Sequence, residues 1–478
     1  MLRQTPIAAT PGLPSVEITG LTADSRLVAP GFLFAALPGS RADGRRFIAD
    51  AVARGAVAVL APSGTEWPPG VPPRPLIQDP EPRQALARMA AVRAGAQPEI
   101  VAAVTGTNGK TSTVEFLRQM MQATRPSASL GTLGVIAPGH AGGSGLTTPD
   151  PVALADTLAG LAREGVRFAA LEASSHGLDQ FRLDGVRLAA GGFSNLTRDH
   201  LDYHGSMAAY RMAKLRLFDA LLPPGAPVVA SSALDADTLA MLRGITAHRR
   251  LVLRLVGEDG DAIRLLSATP HPGGQTLDLI ASGVRRTVDL ALPGRFQADN
   301  ALLAAGLALA LGDQNALDRL PGLTGVRGRM ELAATPNGAA VYVDYAHTPD
   351  ALERLLTALR PHTTGRLHIV FGAGGDRDPG KRPLMGAAVA RLADCAIVTD
   401  DNPRSEDPAA IRAAILAACP GAREVGDRAA AIAAGLEALR PGDVLAIAGK
   451  GHEQGQTIAG ETQPFDDATT VRRLAGSS

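Results

Sequence analysis

Aromatic residues are scarce: Phe, Tyr and Trp make up 3% of the 478 positions, with a single tryptophan. Alanine and aliphatic side chains must therefore fill the cores of a chain that is otherwise 45% hydrophobic and 20% charged, close to the soluble globular average. Cysteine is rarer still. Cys395 and Cys419 form no Cys-x-x-Cys pair, which argues against a disulfide framework or a cysteine zinc cluster and leaves them as small hydrophobes. Neither sign of charge is in excess, with Lys+Arg and Asp+Glu both 47, so no global basic field exists to hold nucleic acid or an anionic membrane. Long apolar runs are missing too. The start, "MLRQTPIAATPGLP", has no apolar core segment before its prolines, and "ALLAAGLALAL" is too short to span a bilayer. The expectation is a cytoplasmic protein with no membrane insertion and no nucleic-acid partner.

Turn formers, by contrast, are plentiful, with 53 Gly and 35 Pro, and they help to mark the domain boundaries. The length suggests about three domains. A first block closes in the Pro-rich "APSGTEWPPGVPPRPLIQDPEP", the helical "RQALARMAAVRAGA" and "QPEI", giving a boundary near residue 97. The second block, 98–325, opens with the strand-like "IVAAVTG" and alternates strands such as "FAALEAS" and "AAGGFSN" with helical patterns. The third, 326–478, runs through "AVYVDYAHTPDALERLLTALR", "RLHIVFGAGG", "CAIVTD" and "DVLAIAGKG". Such alternation predicts an α/β protein with mainly parallel sheets.

In "VAAVTGTNGKTSTVEFLRQM" an apolar strand meets a Gly-rich turn, Lys-Thr and a helix. This order places backbone N–H groups and Lys110 toward phosphate oxygens and the Thr111 hydroxyl toward Mg²⁺. The usual spacing asks for Gly at 104, where Val104 stands; the glycines are Gly106 and Gly109. Glu172 ends a second apolar strand, where α/β sheets place ligand groups, so it reads equally as a magnesium ligand or as a helix-capping or solvated carboxylate. "SNLTRDHLDYHGSMAAYRMAK" adds Asp199, His200, Asp202, His204 and Lys214, a cluster that more often makes structural hydrogen bonds. "DNPR", 401–404, is by itself an ordinary turn signal.

Taken together, "TGTNGKTS", "EASSHGL", "SNLTRDHLDYHG", "YRMAK", "GRME", "DYAHTPD", "GAGGDRDPGKRPLM", "DNPRSEDP" and "AGKGHE" resemble, in order, the motifs of the Mur ligases of peptidoglycan assembly. The N-terminal "TADSRLVAPGFLFAALPGSRADGRRFIADAVARGAVAVL" resembles their uridine-nucleotide domain, so the likeness covers nearly the whole chain. It implies an α/β uridine-nucleotide domain, a central P-loop ATPase domain and a C-terminal Rossmann-like domain. The implied reaction uses ATP and Mg²⁺ to form a peptide bond through an acyl phosphate, which needs positioning and cations but no Ser or Cys nucleophile. A monomer is the expected state.

Residue by residue, the resemblance implies a phosphate loop of Gly106, Thr107, Asn108, Gly109, Lys110, Thr111 and Ser112. Thr111, Glu172 and His200 match metal-site positions, and Lys214 matches a lysine carboxylated to an anionic carbamate. Asn300 and Arg329 match adenine-nucleotide contacts, and Asp344 a position near the ribose; Gln297 stands where relatives more often have another residue. Ser25, Arg26, Thr147, Thr148, Ser174, Gln180 and Arg182 match contacts to a UDP-N-acetylmuramoyl dipeptide. The implied amine is meso-diaminopimelate, which differs from lysine by a distal carboxylate. Arg404 is expected to meet that group with a planar fork of donors, on a loop held by Asp401, Asn402 and Pro403. Arg377, Gly449 and Glu453 complete this set, with Glu453 available to the distal ammonium. Rival readings are a lysine-adding ligase of the same family, a folylpolyglutamate-synthetase-like amide ligase, and a nucleotide-binding regulatory module.

Overall fold

The computed structural model describes residues 16–39, 42–142, 146–271 and 273–476; the N-terminal stretch read above for a leader lies outside them. The chain divides into two compact units. One runs up to Lys110 and includes 121–228 and 235–253; the other comprises 111–120, 229–234 and everything from Arg254 on.

In the first unit, strands Gly20–Thr22, Phe32–Ala35, Ala58–Pro62 and Leu76–Asp79 pair in chain order, all parallel. Parallel strands are buried on both faces, which is why "FLFA" and "AVLAP" read as continuous apolar runs. Phe34 and Val59 face helix Ile48–Ala53, while Leu33 and Leu60 face helix Pro82–Ala94. A second group of parallel strands has Ile100–Thr105 at its centre, flanked by Ala190–Phe193 and Phe168–Glu172, with Ser127–Gly131 beyond. The segments following these strands leave the same, carboxyl, edge. Sheets of this kind place ligand groups there.

Val104 explains itself in this setting. It lies inside the central strand, fully buried between Gly192 and Glu172 on its two neighbours, so an apolar side chain is wanted and the turn begins only at Gly106.

The second unit contains an antiparallel meander of Ile263–His271, Gly274–Ala281 and Val284–Leu290, and the helix Arg295–Ala310, mostly buried from Gln297 on. Gly306 allows close approach: a Cβ there would stand 2.8 Å from Val229 Cγ1 and 2.9 Å from Val256 Cγ1. A six-stranded sheet follows, ordered Glu331–Ala334, Ala340–Asp344, Val444–Ala448, Leu367–Phe371, Cys395–Val398 and Arg423–Glu424; only the first strand is antiparallel to its neighbour. Alternate residues feed two cores. Tyr342, Ile369 and Ala446 pack with helices Pro349–Leu359 and Lys381–Leu392, and Val341, Val370 and Leu445 with Arg428–Glu437 and Asp467–Leu474. Among the described residues no helix is long and apolar enough to cross a membrane.

Candidate functional site

The turn after strand Ile100–Thr105 is gripped from the neighbouring strand end. Gly106, at φ +146°, tolerates no side chain, because a Cβ would stand 1.9 Å from Ser194 Oγ. Thr107 N–H donates to Asn195 O at 2.9 Å, and Asn108 N–H to Asn195 Oδ1 at 2.9 Å. Ser194 Oγ and Asn195 Nδ2 both donate to Asn108 O, at 2.7 and 3.0 Å. Gly109, at φ +82°, leads into helix Lys110–Gln122, whose first turn carries Thr111 and the buried Ser112. A glycine-bent loop opening a helix is the arrangement that receives phosphate.

Two lysines converge on this loop. Lys110 Nζ donates to Gly106 O and Thr107 O, both at 2.9 Å. Lys214 Nζ, on helix Met207–Arg216, donates to Gly106 O at 2.8 Å and lies 4.4 Å from the centre of the Tyr210 ring. Lys214 is 1% exposed, and burial, with nearby Lys110 as the second cause, draws its ammonium down to about 6. Its amine is therefore substantially neutral at neutral pH, the form that can take up CO₂. Tyr210 donates to Thr107 Oγ1 at 3.1 Å, and burial pushes its phenol up to about 12.

Glu172 is buried at its strand end. Thr132 donates to it through N–H at 2.8 Å and through Oγ1 at 3.3 Å. Gly131 leaves room for it: a Cβ there would stand 2.0 Å from Glu172 Oε1. His200, at φ +50°, is half exposed, with its ring edge-on to His176 at 4.9 Å. Among the described residues no three His, Cys, Asp or Glu side chains form a metal-ligand group. A carboxylate oxygen, a hydroxyl and a lysine able to become an oxygen-bearing carbamate nevertheless fit magnesium, which takes few protein ligands and completes its shell with water and phosphate oxygens.

Five of the residues matched to dipeptide contacts form one hydrogen-bonded chain. Thr147 Oγ1 meets Thr132 Oγ1 at 3.1 Å, and Thr148 Oγ1 meets Glu172 O at 2.8 Å and Ser174 Oγ at 2.9 Å. Arg182 donates to Thr148 O at 2.6 Å and to Gln180 Oε1 at 2.7 Å. Ser25 and Arg26 stand apart from that chain. They form a short helical turn capped by Asp24, which also pairs with the exposed Arg26 guanidinium at 2.6 Å.

In the second unit, Asn300 Nδ2 donates to Gln297 Oε1 at 3.2 Å, and Gln297 reaches Arg329 O at 3.5 Å. The departure at Gln297 is thus a fully buried link between two expected nucleotide contacts. Asp344 accepts from Met330 N and Ala346 N, both at 2.8 Å; desolvation raises its carboxyl, opposed by Arg329 and these donors. Arg329 itself lies over the Tyr345 ring at 4.9 Å.

The "DNPR" loop sits in a set of side chains from distant segments. Asn402 Nδ2 donates to Glu453 Oε2 at 2.9 Å, and Asn402 Oδ1 accepts from Lys450 Nζ at 3.1 Å and Thr457 N at 3.0 Å. Asp401 Oδ2 is buried with no hydrogen-bond partner among the described residues; a Cβ on Gly449 would stand 2.2 Å from it. Pro403 O would be struck at 1.9 Å by a Cβ on Gly375. Arg404 gives Nη1 to Gly375 O at 2.6 Å, and among the described residues neither it nor the exposed Arg377 has an acidic partner within ion-pair distance. Asp401, Asn402, Arg404, Gly449 and Glu453 are thus brought into one neighbourhood, and Arg377 joins Arg404 over Gly374, where a Cβ would stand 3.9 Å from Arg377 Cγ and 3.1 Å from Arg404 Nη1. Sequence reasoning missed Asn195, Tyr210 and the wholly buried Lys450. The motifs "SNLTRDH", "YRMAK" and "AGKGHE" contain all three, but nothing local says what each touches.

Residues 17–125 match the family described as "Mur ligase family, catalytic domain", 104–308 the "Mur ligase middle domain", and 328–451 the "Mur ligase, glutamate ligase domain". UDP-N-acetylmuramoyl-L-alanyl-D-glutamate–2,6-diaminopimelate ligase of Caulobacter vibrioides is 55% identical, covering 96% of each chain. The ligase of the same name from Bradyrhizobium diazoefficiens is 51% identical, covering 98% of this chain and 97% of its own. A solved structure bearing that name has a TM-score of 0.74 at 34% identity, covering 96% of this chain and 95% of its own. A folylpolyglutamate synthase of Mycobacterium tuberculosis, at 19% identity, TM-score 0.61 and coverage of 82% of this chain and 95% of its own, shares the fold.

Proposed function

Because the chain belongs to the Mur ligase family, we infer that it is an ATP-dependent ligase of peptidoglycan synthesis. It joins meso-2,6-diaminopimelate to the D-glutamyl γ-carboxylate of UDP-N-acetylmuramoyl-L-alanyl-D-glutamate. The observation that carries this reading is the nearly full-length likeness to ligases of that name. The intact "DNPR" loop, with two arginines over Gly374, supports the choice of amine.

In the reaction a carboxylate oxygen attacks the γ-phosphorus of ATP and ADP leaves; the amine then attacks the acyl phosphate, loses a proton and expels inorganic phosphate. The loop from Gly106 to Ser112 holds the phosphates through its N–H groups, and Lys110 exchanges its two carbonyl partners for phosphate oxygens. Thr111, Glu172, His200 and a carboxylated Lys214 would hold magnesium, which when bound would offset repulsion between anions. Asn300, Arg329 and Asp344 serve the adenosine. Thr147, Thr148, Ser174, Gln180 and Arg182 orient the dipeptide, with Ser25 and Arg26 at the uridine nucleotide. Arg377 and Arg404 take the distal carboxylate of the amine, supported by Asp401, Asn402, Pro403 and Gly449, and Glu453 takes its ammonium. The protein acts as a cytoplasmic monomer, in a pathway tied to cell shape and division, with functional domains 1–97, 98–325 and 326–478.

The test is phosphate release from ATP in the presence of the UDP-sugar dipeptide, adding diaminopimelate or lysine in turn. Turnover that depends on diaminopimelate is expected. Turnover with lysine alone would mark a lysine-adding ligase, and none with either amine would leave a nucleotide-binding module.

A further inference from the structure

Arg377 and Arg404 stand on separate loops, 372–378 and 401–407, and both loops enter the left-handed region at a residue that carries a side chain. Asp376 and Arg404 each have φ +53°. Such backbone costs roughly 1 kcal/mol or more per non-glycine residue, so it persists where neighbours over-determine it. The over-determination is visible. Arg382 Nη2 donates to both Glu406 oxygens, at 2.9 and 2.8 Å, and Glu406 Oε1 also accepts from Asp376 N–H at 2.6 Å. The Asp376 carboxylate accepts from Ser405 Oγ at 2.6 Å and Ser405 N at 3.3 Å. Gly375 N–H donates to Asn402 O at 2.9 Å, and Arg404 returns the bond to Gly375 O.

Arg382 is 6% exposed, and Glu406 is its carboxylate partner. A buried guanidinium keeps its place only where a paired acid does too. Glu406 is thereby anchored in the fold while one of its oxygens fixes the turn just ahead of Arg377, and its neighbour Ser405, the residue just after Arg404, ties that turn to the second loop.

We propose that Glu406, braced by Arg382, is a positioning residue for selection of the amine: it couples the two loops so that Arg377 and Arg404 are presented together to a distal carboxylate. The proposal rests on the reading of the chain as a diaminopimelate ligase. Glu406 makes no contact with substrate in this scheme and acts through the arginines alone.

The test uses the full-length enzyme with ATP and dipeptide saturating, and follows phosphate release in Glu406→Gln and Ser405→Ala. The KM for diaminopimelate is expected to rise about tenfold in Glu406→Gln and about threefold in Ser405→Ala, with kcat and the KM for ATP changed less than about twofold. In an Arg404→Ala background, Glu406→Gln should add less than about twofold, because residues acting through one another are not additive. Full additivity in the double variant, an unchanged KM for diaminopimelate in the single variants, or a fall in kcat at constant KM would overturn the proposal. Should Glu406→Gln fail to fold, Ser405→Ala, which removes one exposed hydroxyl, decides by the same KM criterion. A wild-type enzyme without diaminopimelate-dependent turnover would sink the functional reading itself; normal turnover with unaffected variants would sink only the coupling of the loops.

Discussion

Around the phosphate loop, Lys110 and Lys214 give their hydrogen bonds to carbonyls of the loop itself, at Gly106 and Thr107. Around the "DNPR" loop the cations are placed by side chains and turns drawn from segments near residues 376, 404 and 450. In the first region the carbonyls of one short contiguous stretch hold both lysines, and Ser194 and Asn195 brace that stretch from the neighbouring strand end. In the second, the cations and their partners come from several separate segments. The difference teaches a division of labour: damage to the first should lower turnover with any amine, whereas damage to the second should alter which amine is used.

The largest expected effect is in the first region. Lys110→Ala should lower kcat about 10³-fold with every amine, as removal of one strong electrostatic contact to a developing charge does. A loss confined to diaminopimelate would break the comparison. Next comes the frame of the second region, where Arg428 and Asp467 pair at 2.7 Å, both wholly buried. Asp467→Ala leaves that guanidinium unpaired, and should destabilise by about 3–5 kcal/mol, seen as a lower urea midpoint. Arg404→Ala should then reduce kcat/KM for diaminopimelate about 10²-fold while leaving lysine use unaltered, since truncating one partner of a desolvated charge pair costs at least 2 kcal/mol or so. Equal losses with both amines would remove the selectivity argument. The smallest change sharpens the contrast: Tyr210→Phe deletes the bond to Thr107 Oγ1, worth about 1 kcal/mol, and should raise the KM for ATP without touching that for diaminopimelate.

The same division decides what could be read from the chain before its structure. The phosphate loop was legible because its strand, its glycines, Lys110 and its helix are consecutive, and the structure places the turn at Gly106 with Val104 inside the strand. The α/β sheets were legible from continuous apolar runs such as "FAALE" and "VLAIA", which fall on Phe168–Glu172 and Val444–Ala448. "DNPR" was legible only through its likeness to a family. Asn402 is held by Lys450, Glu453 and Thr457, about fifty residues further on, and no local rule pairs residues at that distance. Asn195, which braces the phosphate loop, escaped for the same reason, as did Glu406, whose surroundings look like an ordinary helix start before Pro408–Leu416.

The most direct measurement of the central claim is the mass of the product formed when the enzyme, ATP and UDP-sugar dipeptide are given diaminopimelate and lysine in equal amounts. The account predicts the diaminopimelate adduct alone from the wild-type enzyme, and a mixture of both adducts from Arg404→Ala. A lysine adduct from the wild type, or an Arg404→Ala enzyme that still excludes lysine, would contradict it.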